Sequence, residues 1–525
     1  MAYWQVRDGF NHKDVENIDK IQVDDILFFV TEGIFVFYAR CVKNLSNGIE
    51  FDEWEKFPLD SNFLISSLER GSYSQKIALI RNNDKIYELL NMIEPLKIYK
   101  IKTLKITNFR LIEELEIDFD ENVNVIIANN GAGKTTVLDA IATGLGVMVN
   151  KFHNGLPFRE QDLRINSQNK IENFMRIRLK STDNLVWDIS KNKTKISTKM
   201  KEAIPDRYGD KELIPFSDRI IDAQNEDRDF KMPLVIYYKT NRATFDAPLR
   251  KRNFKKEFSR FDALDGVLKR DPNFTRLFQW FDFMEDMERR EQQRVKDFNY
   301  KLKELEEVRK AIEDMLPAFK NPRIEIKPLR FMIDRIEKDG SIISFNIEQL
   351  SDGYRTVLAM VMDISARMSQ ANPQIGNDSQ AIILIDELDL HLHPKWQQTI
   401  LSDLRRTFPN AQFIVTTHSV HVLSSIKKEK LFILKEGKVE KTSLNTYGKS
   451  IDELLLGSFD VKSLRYPEVA QQIEFLQKFL YSNEYKEEVF LSQLETLEEE
   501  IGKDDIAILK LKLEKLKRDK NAKNT

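Results

Sequence analysis

The sequence predicts an α/β fold, because short apolar strands and amphipathic helices alternate in two separate parts of the 525-residue chain. Residues 125–128 form an apolar strand that runs through a loop of small residues into an apolar-periodic helix. Residues 381–385 form a second apolar strand, which ends in the acidic pair Asp386 and Glu387. Residues 346–440 continue the alternation of strands and helices, so we expect two distant segments to build one α/β core.

The loop after the first strand has the pattern of a phosphate-binding loop. It matches Gly-x-x-x-x-Gly-Lys-Thr except at the first position, where Ala128 stands. Backbone N–H groups of such a loop point at a β-phosphate, Lys134 can neutralise phosphate oxygens, and the Thr135 hydroxyl can reach Mg²⁺. A chance loop of small residues is the alternative, but strand, loop and helix occur in the required order. The predicted nucleotide-binding residues here are Asn130, Gly131, Ala132, Gly133, Lys134, Thr135 and Thr136.

Composition restricts the environment and the partners of the chain. The net charge is −2 although 32% of the residues are charged, so any contact with nucleic acid must come from local patches. The single cysteine, Cys41, excludes a disulfide within the chain and favours a reducing cytosol. The apolar stretch at 26–42 contains Glu32 and Gly33, which favours two strands around a turn over a membrane span. With no charged-then-apolar leader at its start, the chain is expected to be soluble and cytoplasmic, with no membrane partner.

Changes of pattern along the chain predict five regions. Between residues 273 and 316, apolar residues recur every three or four positions, which predicts a long helix that forms either a lid on the core or a short coiled coil. We favour the lid. The basic end of the chain is expected to be a solvated helix end, with nucleic-acid binding as the alternative. The regions are a β-rich N-terminal domain at 1–97, a lobe with the phosphate loop at 98–150, an insertion at 151–345, a second lobe at 346–445 and a helical region at 446–525.

Two further segments predict chemistry at the phosphate loop. At a strand end, Asp386 can hold Mg²⁺ through water, and the adjacent Glu387 can polarise an attacking water. Ser351 and Gly353 lie at the predicted N-terminus of an apolar-periodic helix, where free N–H groups form an anion site. An ordinary helix cap by Ser351 is the alternative, and both roles can hold at once.

Taken in order, these motifs resemble the core of ABC-type ATPases of the SMC, RecF and overcoming-lysogenisation-defect class. The resemblance implies an ABC-type P-loop ATPase core with a mixed sheet, which binds ATP and Mg²⁺ between two chains arranged head to tail. It further implies that Ser351 and Gly353 bind the γ-phosphate held by a second subunit. In the same class, Asp389 corresponds to a segment at the subunit contact, and His418 corresponds to a switch histidine at the γ-phosphate.

Two more positions follow from this resemblance. The segment Leu104–Arg110 looks like the opening of the class, in which the arginine after Asn-Phe helps to hold nucleotide, although Arg110 could equally be a surface residue. A glutamine that senses Mg²⁺ should follow the first helix, and Gln161 is the nearest candidate. The implied catalytic residues are Lys134, Glu387 and His418, the implied metal-binding residues are Thr135, Asp386 and Gln161, and the implied nucleotide-binding residues outside the loop are Arg110, Ser351, Gly353 and Asp389.

A finer resemblance concerns the segments 237–242, 386–394 and 446–455, which are similar to PtuA-like ATPases of Septu anti-phage defence systems, also found with some retrons. It implies an ATP hydrolase that assembles with itself and acts as the sensor or regulator of an HNH nuclease of the PtuB kind. The alternative is a DNA-repair or chromosome-maintenance ATPase without a nuclease partner. A transporter motor is disfavoured, because the long insertion and the aromatic N-terminal region have no place there.

The N-terminal region faintly resembles EVE and PUA-like β-barrels, which bind nucleic-acid bases. A base could stack on an aromatic side chain such as Trp4 or Trp54. The alternative, which we favour for any single aromatic residue, is that these side chains fill a small core.

Overall fold

The computed structural model divides into two compact units, residues 1–98 and 99–525. It describes the strands of the first unit and, in the second, residues 100–129, 131–153, 160–193, 208–240, 257–268, 274–427, 430–435, 437–441, 445–458, 463–482 and 484–524.

The first unit contains an antiparallel sheet. Its strands are β1 (Ala2–Gln5), β2 (Ile26–Thr31), β3 (Ile34–Leu45), β4 (Gly48–Phe51) and β5 (Glu55–Lys56). They pair in the order β1-β4-β3-β2, and β5 also pairs with β3. Trp4 lies on β1, whereas Trp54 lies outside the described residues, so base binding by this unit stays a hypothesis.

The second unit contains the α/β core. Its strands are β6 (Ile101–Phe109), β7 (Ile112–Asp118), β8 (Val123–Ala128), β9 (Phe174–Ser181), β10 (Val186–Asn192), β11 (Leu234–Tyr238), β12 (Phe319–Ile326), β13 (Leu329–Ile336), β14 (Ile342–Asn346), β15 (Ala381–Ile385), β16 (Ala411–Thr416), β17 (Leu431–Lys435) and β18 (Lys438–Lys441). Its α-helices are α1 (Lys134–Val149), α2 (Leu213–Asn225), α3 (Phe274–Val295), α4 (Lys303–Met315), α5 (Asp352–Ala371), α6 (Pro394–Thr407), α7 (Val420–Leu423), α8 (Ile451–Ser458), α9 (Pro467–Leu480), α10 (Glu487–Ile501) and α11 (Ile506–Asn524).

A six-stranded sheet in the order β11-β15-β16-β8-β17-β18 positions the candidate site. The first five strands are parallel and β18 is antiparallel, so the sheet is mixed, as predicted. The strands β8, β11, β15 and β16 are buried along their whole length, which explains their continuous apolar sequences. Because parallel strands end at the same edge, the segments that follow these four strands meet there.

Helix α1 packs between this sheet and the antiparallel sheet β10-β9-β6-β7. Gly144 permits the contact with β9, since a Cβ atom there would lie 2.6 Å from Cδ1 of Leu179. The indole of Trp187 on β10 donates a hydrogen bond of 2.8 Å to the Gly144 carbonyl. The phosphate-loop helix is therefore held from both sides.

The insertion contains two helices where the apolar spacing predicts one. Helix α3 ends at Val295, the next residue, Lys296, has a φ of 57°, and α4 begins at Lys303. The prediction of one continuous helix was wrong because the apolar spacing runs on through Phe298, a turn residue that is 84% exposed. Helices α3 and α4 pack against α5, and the three-stranded sheet β12-β13-β14 follows them.

The C-terminal region is helical, as predicted. Helices α9, α10 and α11 share a small core of Leu476, Leu480, Phe490, Leu494, Leu497, Ile508 and Leu511. Within the described part of the chain, none of the helices has the length and apolarity that a membrane crossing requires.

Candidate nucleotide site

The phosphate loop connects β8 to α1 and takes the backbone conformation that its glycines predict. Gly131 has a φ of 78° and Gly133 a φ of 103°, values in the left-handed region that side chains disfavour. Ala128 instead ends β8 and pairs with Leu434 of β17, so the missing first glycine of the pattern is replaced in extended backbone without strain. Asn130 lies outside the described residues.

Lys134 is the first residue of α1 and its side chain folds back over the loop. Its Nζ atom donates a 3.0 Å hydrogen bond to the carbonyl of Ala128, and the residue is only 7% exposed. Burial lowers the pKa of the ammonium, and the nearby carboxylates of Asp386, Glu387 and Asp389 oppose that shift. The hydrogen bond of the ammonium goes to a neutral carbonyl, so an anionic phosphate oxygen would be a stronger partner for it.

A continuous chain of hydrogen bonds joins α1 to the ends of β15 and β16. The Thr135 hydroxyl donates to Oδ2 of Asp386 at 2.8 Å, and the Thr416 hydroxyl donates to Oδ1 at 2.6 Å. The backbone N–H of Glu387 donates to the Thr416 hydroxyl at 2.8 Å. Glu387 has a φ of 48°, so the chain turns sharply after the buried Asp386 and leaves the Glu387 side chain half-buried. A hydroxyl and a carboxylate held this close are hard oxygen donors that fit a Mg²⁺ ion.

Asp389 and His418 meet next to this chain. Oδ1 of Asp389 accepts a 2.5 Å hydrogen bond from the Thr417 hydroxyl and a 3.3 Å bond from the backbone N–H of His418. The His418 side chain is half-buried, and Ser419 begins the short helix α7 as its cap. The structure thus brings together the two positions that the resemblance relates to the subunit contact and the switch.

The signature segment begins α5 at the same edge of the core. Ser351 is the N-cap residue and is exposed, and its side chain makes no capping hydrogen bond among the described residues. Gly353 faces the loop after β15, because a Cβ atom there would lie 2.7 Å from the carbonyl oxygen of His391. Tyr354 packs edge-on against Trp396 of α6, with ring centroids 4.5 Å apart. These contacts fix the start of α5 and leave the Ser351 hydroxyl open to a ligand.

Arg110 lies at the turn between β6 and β7 and reaches α1. Its Nη1 donates to Oδ2 of Asp139 at 2.7 Å, and its Nε donates to Oδ1 of Asp162 at 2.9 Å. These two ion pairs raise the pKa of the guanidinium against the opposing effect of burial. Gln161, adjacent to Asp162 in a 3₁₀-helix, is exposed. Arg110 thus contacts α1, and Gln161 is next in sequence to its second partner, Asp162. Whether either residue touches nucleotide stays a prediction.

The sequence analysis did not predict the residues that link the phosphate-loop helix, the β6–β7 turn and the strand ends. Asp139 accepts hydrogen bonds from Lys239 Nζ at 2.6 Å and from the Tyr237 hydroxyl at 3.0 Å, in addition to Arg110. Thr416 joins Asp386 to Glu387. A local signal existed for Asp139, which lies one helical turn after Thr135 and so on the same face of α1. Lys239 lies in the segment 237–242 that carries the finer resemblance, but nothing local in that segment predicts its contact with Asp139, about a hundred residues away in sequence.

Comparisons with known proteins place the chain among ATPases. The family model described as an AAA domain matches residues 103–354, which include the phosphate loop and the signature segment. A retron Ec83 probable ATPase of Escherichia coli is 27% identical over 80% of this chain and 87% of its own length. A retron Vc95 probable ATPase of Vibrio cholerae is 27% identical over 75% of this chain and 84% of its own length. The Septu protein PtuA of Bacillus thuringiensis is 25% identical over 74% of this chain and 91% of its own length.

These relatives match most of the chain. The AAA-domain match covers the phosphate loop and the signature segment and ends before Asp386. Both findings agree with the nucleotide binding that the phosphate loop predicts. The phosphate loop, the AAA-domain match and the ATPase relatives make the chain an ATP hydrolase.

Proposed function

We propose that two copies of the chain meet head to tail and hydrolyse MgATP between them. Lys134 of one copy neutralises the β- and γ-phosphates, and Ser351 and Gly353 of the other copy bind the γ-phosphate. When bound, Mg²⁺ supplies positive charge to the phosphate oxygens, and Thr135 and Asp386 are the residues that would hold it. The support for this proposal is the hydrogen-bonded chain Thr135–Asp386–Thr416, which gathers these groups at one sheet edge.

In this proposal Glu387 orients and activates the attacking water. Its backbone N–H donates to the Thr416 hydroxyl, which fixes the backbone of residue 387 at the strand end beside Asp386. His418 and Asp389 respond to the γ-phosphate, and the contact between them carries that response to α7. Arg110, which contacts Asp162, and Gln161, the neighbour of Asp162 in sequence, complete the site.

We further propose that this ATPase is the sensor or regulatory subunit of a bacterial anti-phage defence complex that controls a partner HNH nuclease. Two of the relatives carry retron names and one is the Septu protein PtuA, and each aligns over most of its own length. Nucleic acid is a further proposed ligand, through the N-terminal unit or the basic chain end.

A second candidate is a DNA-repair ATPase without a nuclease. A DNA replication and repair protein RecF of Clostridium tetani is 54% identical, but over only 41 residues. Co-expression with the neighbouring genes under phage challenge separates the candidates. Protection together with co-purification of a small HNH protein supports defence, and loss of repair on deletion without any effect on phage supports repair.

The variant Glu387→Gln tests the hydrolysis mechanism. We expect it to bind ATP with wild-type affinity and to lose about 100-fold or more in turnover, because the amide cannot accept the water proton. Fluorescent-nucleotide titration and a phosphate-release assay measure the two quantities. Lys134→Met serves as the variant that loses nucleotide binding, and Glu116→Gln, at an exposed pair with Lys105, serves as the matched control. Normal turnover by Glu387→Gln would show that another residue is the base.

A further inference from the structure

Asp139 is the centre of a charge cluster one turn along the phosphate-loop helix. It follows Thr135 by four residues, about 6 Å along the helix axis, and lies on the same face. Its Oδ2 accepts from Arg110, and its Oδ1 accepts from both Lys239 and Tyr237. Asp139 is 9% exposed, so these contacts are largely shielded from solvent.

The donors come from segments that are far apart in sequence. Arg110 lies in the turn between β6 and β7, and Lys239 follows β11, which is the strand next to β15 in the central sheet. The backbone N–H of Asp386 donates to the carbonyl of Tyr238 at 2.8 Å, so Lys239 leaves the sheet directly beside Asp386. The cluster therefore adjoins the edge where the phosphates are proposed to bind.

Among the residues that the structure describes, the charges of the cluster balance. Asp139 and Asp162 supply two negative charges, and Arg110 and Lys239 supply two positive charges at 2.6–2.9 Å from them. The cations hold the pKa of Asp139 below its usual range although burial would raise it, so the carboxylate is ionised at neutral pH. Loss of Lys239 would remove one positive charge from beside Asp139 and make this region more negative next to a bound triphosphate.

We propose that Lys239 is a positioning residue for the nucleotide, which acts through Asp139. Its ammonium neutralises the carboxylate of Asp139, which would otherwise repel the triphosphate. Without Lys239, Asp139 would also bind Arg110 more tightly. Lys239 thus sets the affinity for ATP, while Glu387 and its neighbours set the rate of the chemical step. This inference rests on the nucleotide site proposed above.

Charge-changing variants of the full-length chain test the proposal through the sign of their effects. Lys239→Met should weaken MgATP binding about three- to tenfold, the range for removal of one partly screened unit charge near the phosphates. Lys239→Arg should restore affinity to within about twofold, because it keeps the charge. Asp139→Asn should strengthen binding, and the double variant should return close to wild type. The effect of Lys239→Met should appear in KM with little change in kcat, and it should shrink at high salt.

Lys151→Met is the matched control, since it removes a lysine paired with Asp210 at 2.7 Å beyond the far end of α1. It should leave the affinity unchanged. The proposal is overturned if Lys239→Met binds MgATP within twofold of wild type, if Lys239→Arg is as weak as Lys239→Met, or if Asp139→Asn also weakens binding. A purely structural role would lower Tm in these variants without opposite signs in affinity. If wild type itself shows no binding that depends on Lys134, the proposed site fails, which is a different result from failure of Lys239 alone.

Discussion

Two parts of the proposed site differ in how far they are formed within one chain. The phosphate-loop face comprises Thr135, Asp386 and Thr416, and the signature face comprises Ser351 and Gly353. On the first face, Thr135, Asp386 and Thr416 are already joined by hydrogen bonds of 2.6–2.8 Å, and Asp386 is 1% exposed. On the second face, Ser351 is exposed at the start of α5, and its side chain makes no capping bond among the described residues. The first half of the site is thus preorganised within one chain, and the second is presented outward, as the proposed pairing of two copies requires.

The variant Ser351→Arg tests this difference and has the largest expected effect. A bulky cation on the outward face should block the proposed contact with a second copy's nucleotide, while the phosphate-loop half of the same chain stays intact. We expect turnover to fall about 100-fold, the usual loss when an anion-stabilising group is removed, with ATP affinity of the single chain within about twofold of wild type. Phosphate release, nucleotide titration and light scattering with and without ATP measure activity, affinity and association.

Ser402→Arg, at an exposed position of α6, is the control for the added charge. If Ser351→Arg hydrolyses ATP at the wild-type rate, the signature face is not part of the active site, and the contrast between the two faces has another cause.

The variant Gly353→Ala tests how closely the two faces are coupled. Its Cβ would lie 2.7 Å from the backbone oxygen of His391, so α5 or the loop after β15 must shift. We expect a loss of about 1–3 kcal/mol in the free energy of unfolding, the usual cost of overpacking, and about a tenfold loss of turnover. Gly376→Ala creates a 2.6 Å clash with Cδ of Glu307, after the C-terminal end of α5 and away from the signature. It should lose stability but keep its turnover, as measured by denaturant unfolding and phosphate release; equal turnover losses in both variants would contradict the coupling.

The two faces also differ in how far the sequence alone predicts them. The spacing of glycine, lysine and threonine around residue 133 marks the phosphate loop, because a strand, a tight turn and a helix start are all local. The acids at 386 and 387 follow a continuous apolar strand and are equally recognisable. The pairing of Asp139 with Lys239 depends on β11 lying next to β15, which the sequence does not encode locally. The break after Val295 escaped prediction because the apolar spacing continues across the turn.

The supports of helices α1 and α5 also differ, and this difference predicts an effect on stability with none on turnover. Helix α1 packs between two sheets on apolar side chains, whereas α5 rests on α3 and α4, which bury charged groups. Glu285 of α3 is 7% exposed, and its Oε2 accepts from Arg289 at 3.1 Å and from the backbone N–H of Ile324 at 3.4 Å. Burial raises the pKa of this carboxyl to about 7, and Arg289 only partly opposes the shift.

The sign of the resulting pH dependence follows from linkage. A carboxyl with a raised pKa in the folded state binds more protons there than in the unfolded chain, so stability falls as pH rises from about 4.5 to about 7. Glu285→Gln removes this titrating group, so the variant should be more stable than wild type by an amount that grows across that interval. Above pH 7 the difference in free energy of unfolding should level off at no more than about 3 kcal/mol. Denaturant unfolding at pH 5, 6, 7 and 8 measures it, with Glu291→Gln, at a partly exposed carboxylate of α3 that pairs with Arg294, as the control. If the stability gain of Glu285→Gln does not change with pH, the pKa of Glu285 is not raised in the folded protein. The charge of this carboxylate is then compensated by its neighbours, and the difference between the supports of α5 and α1 disappears.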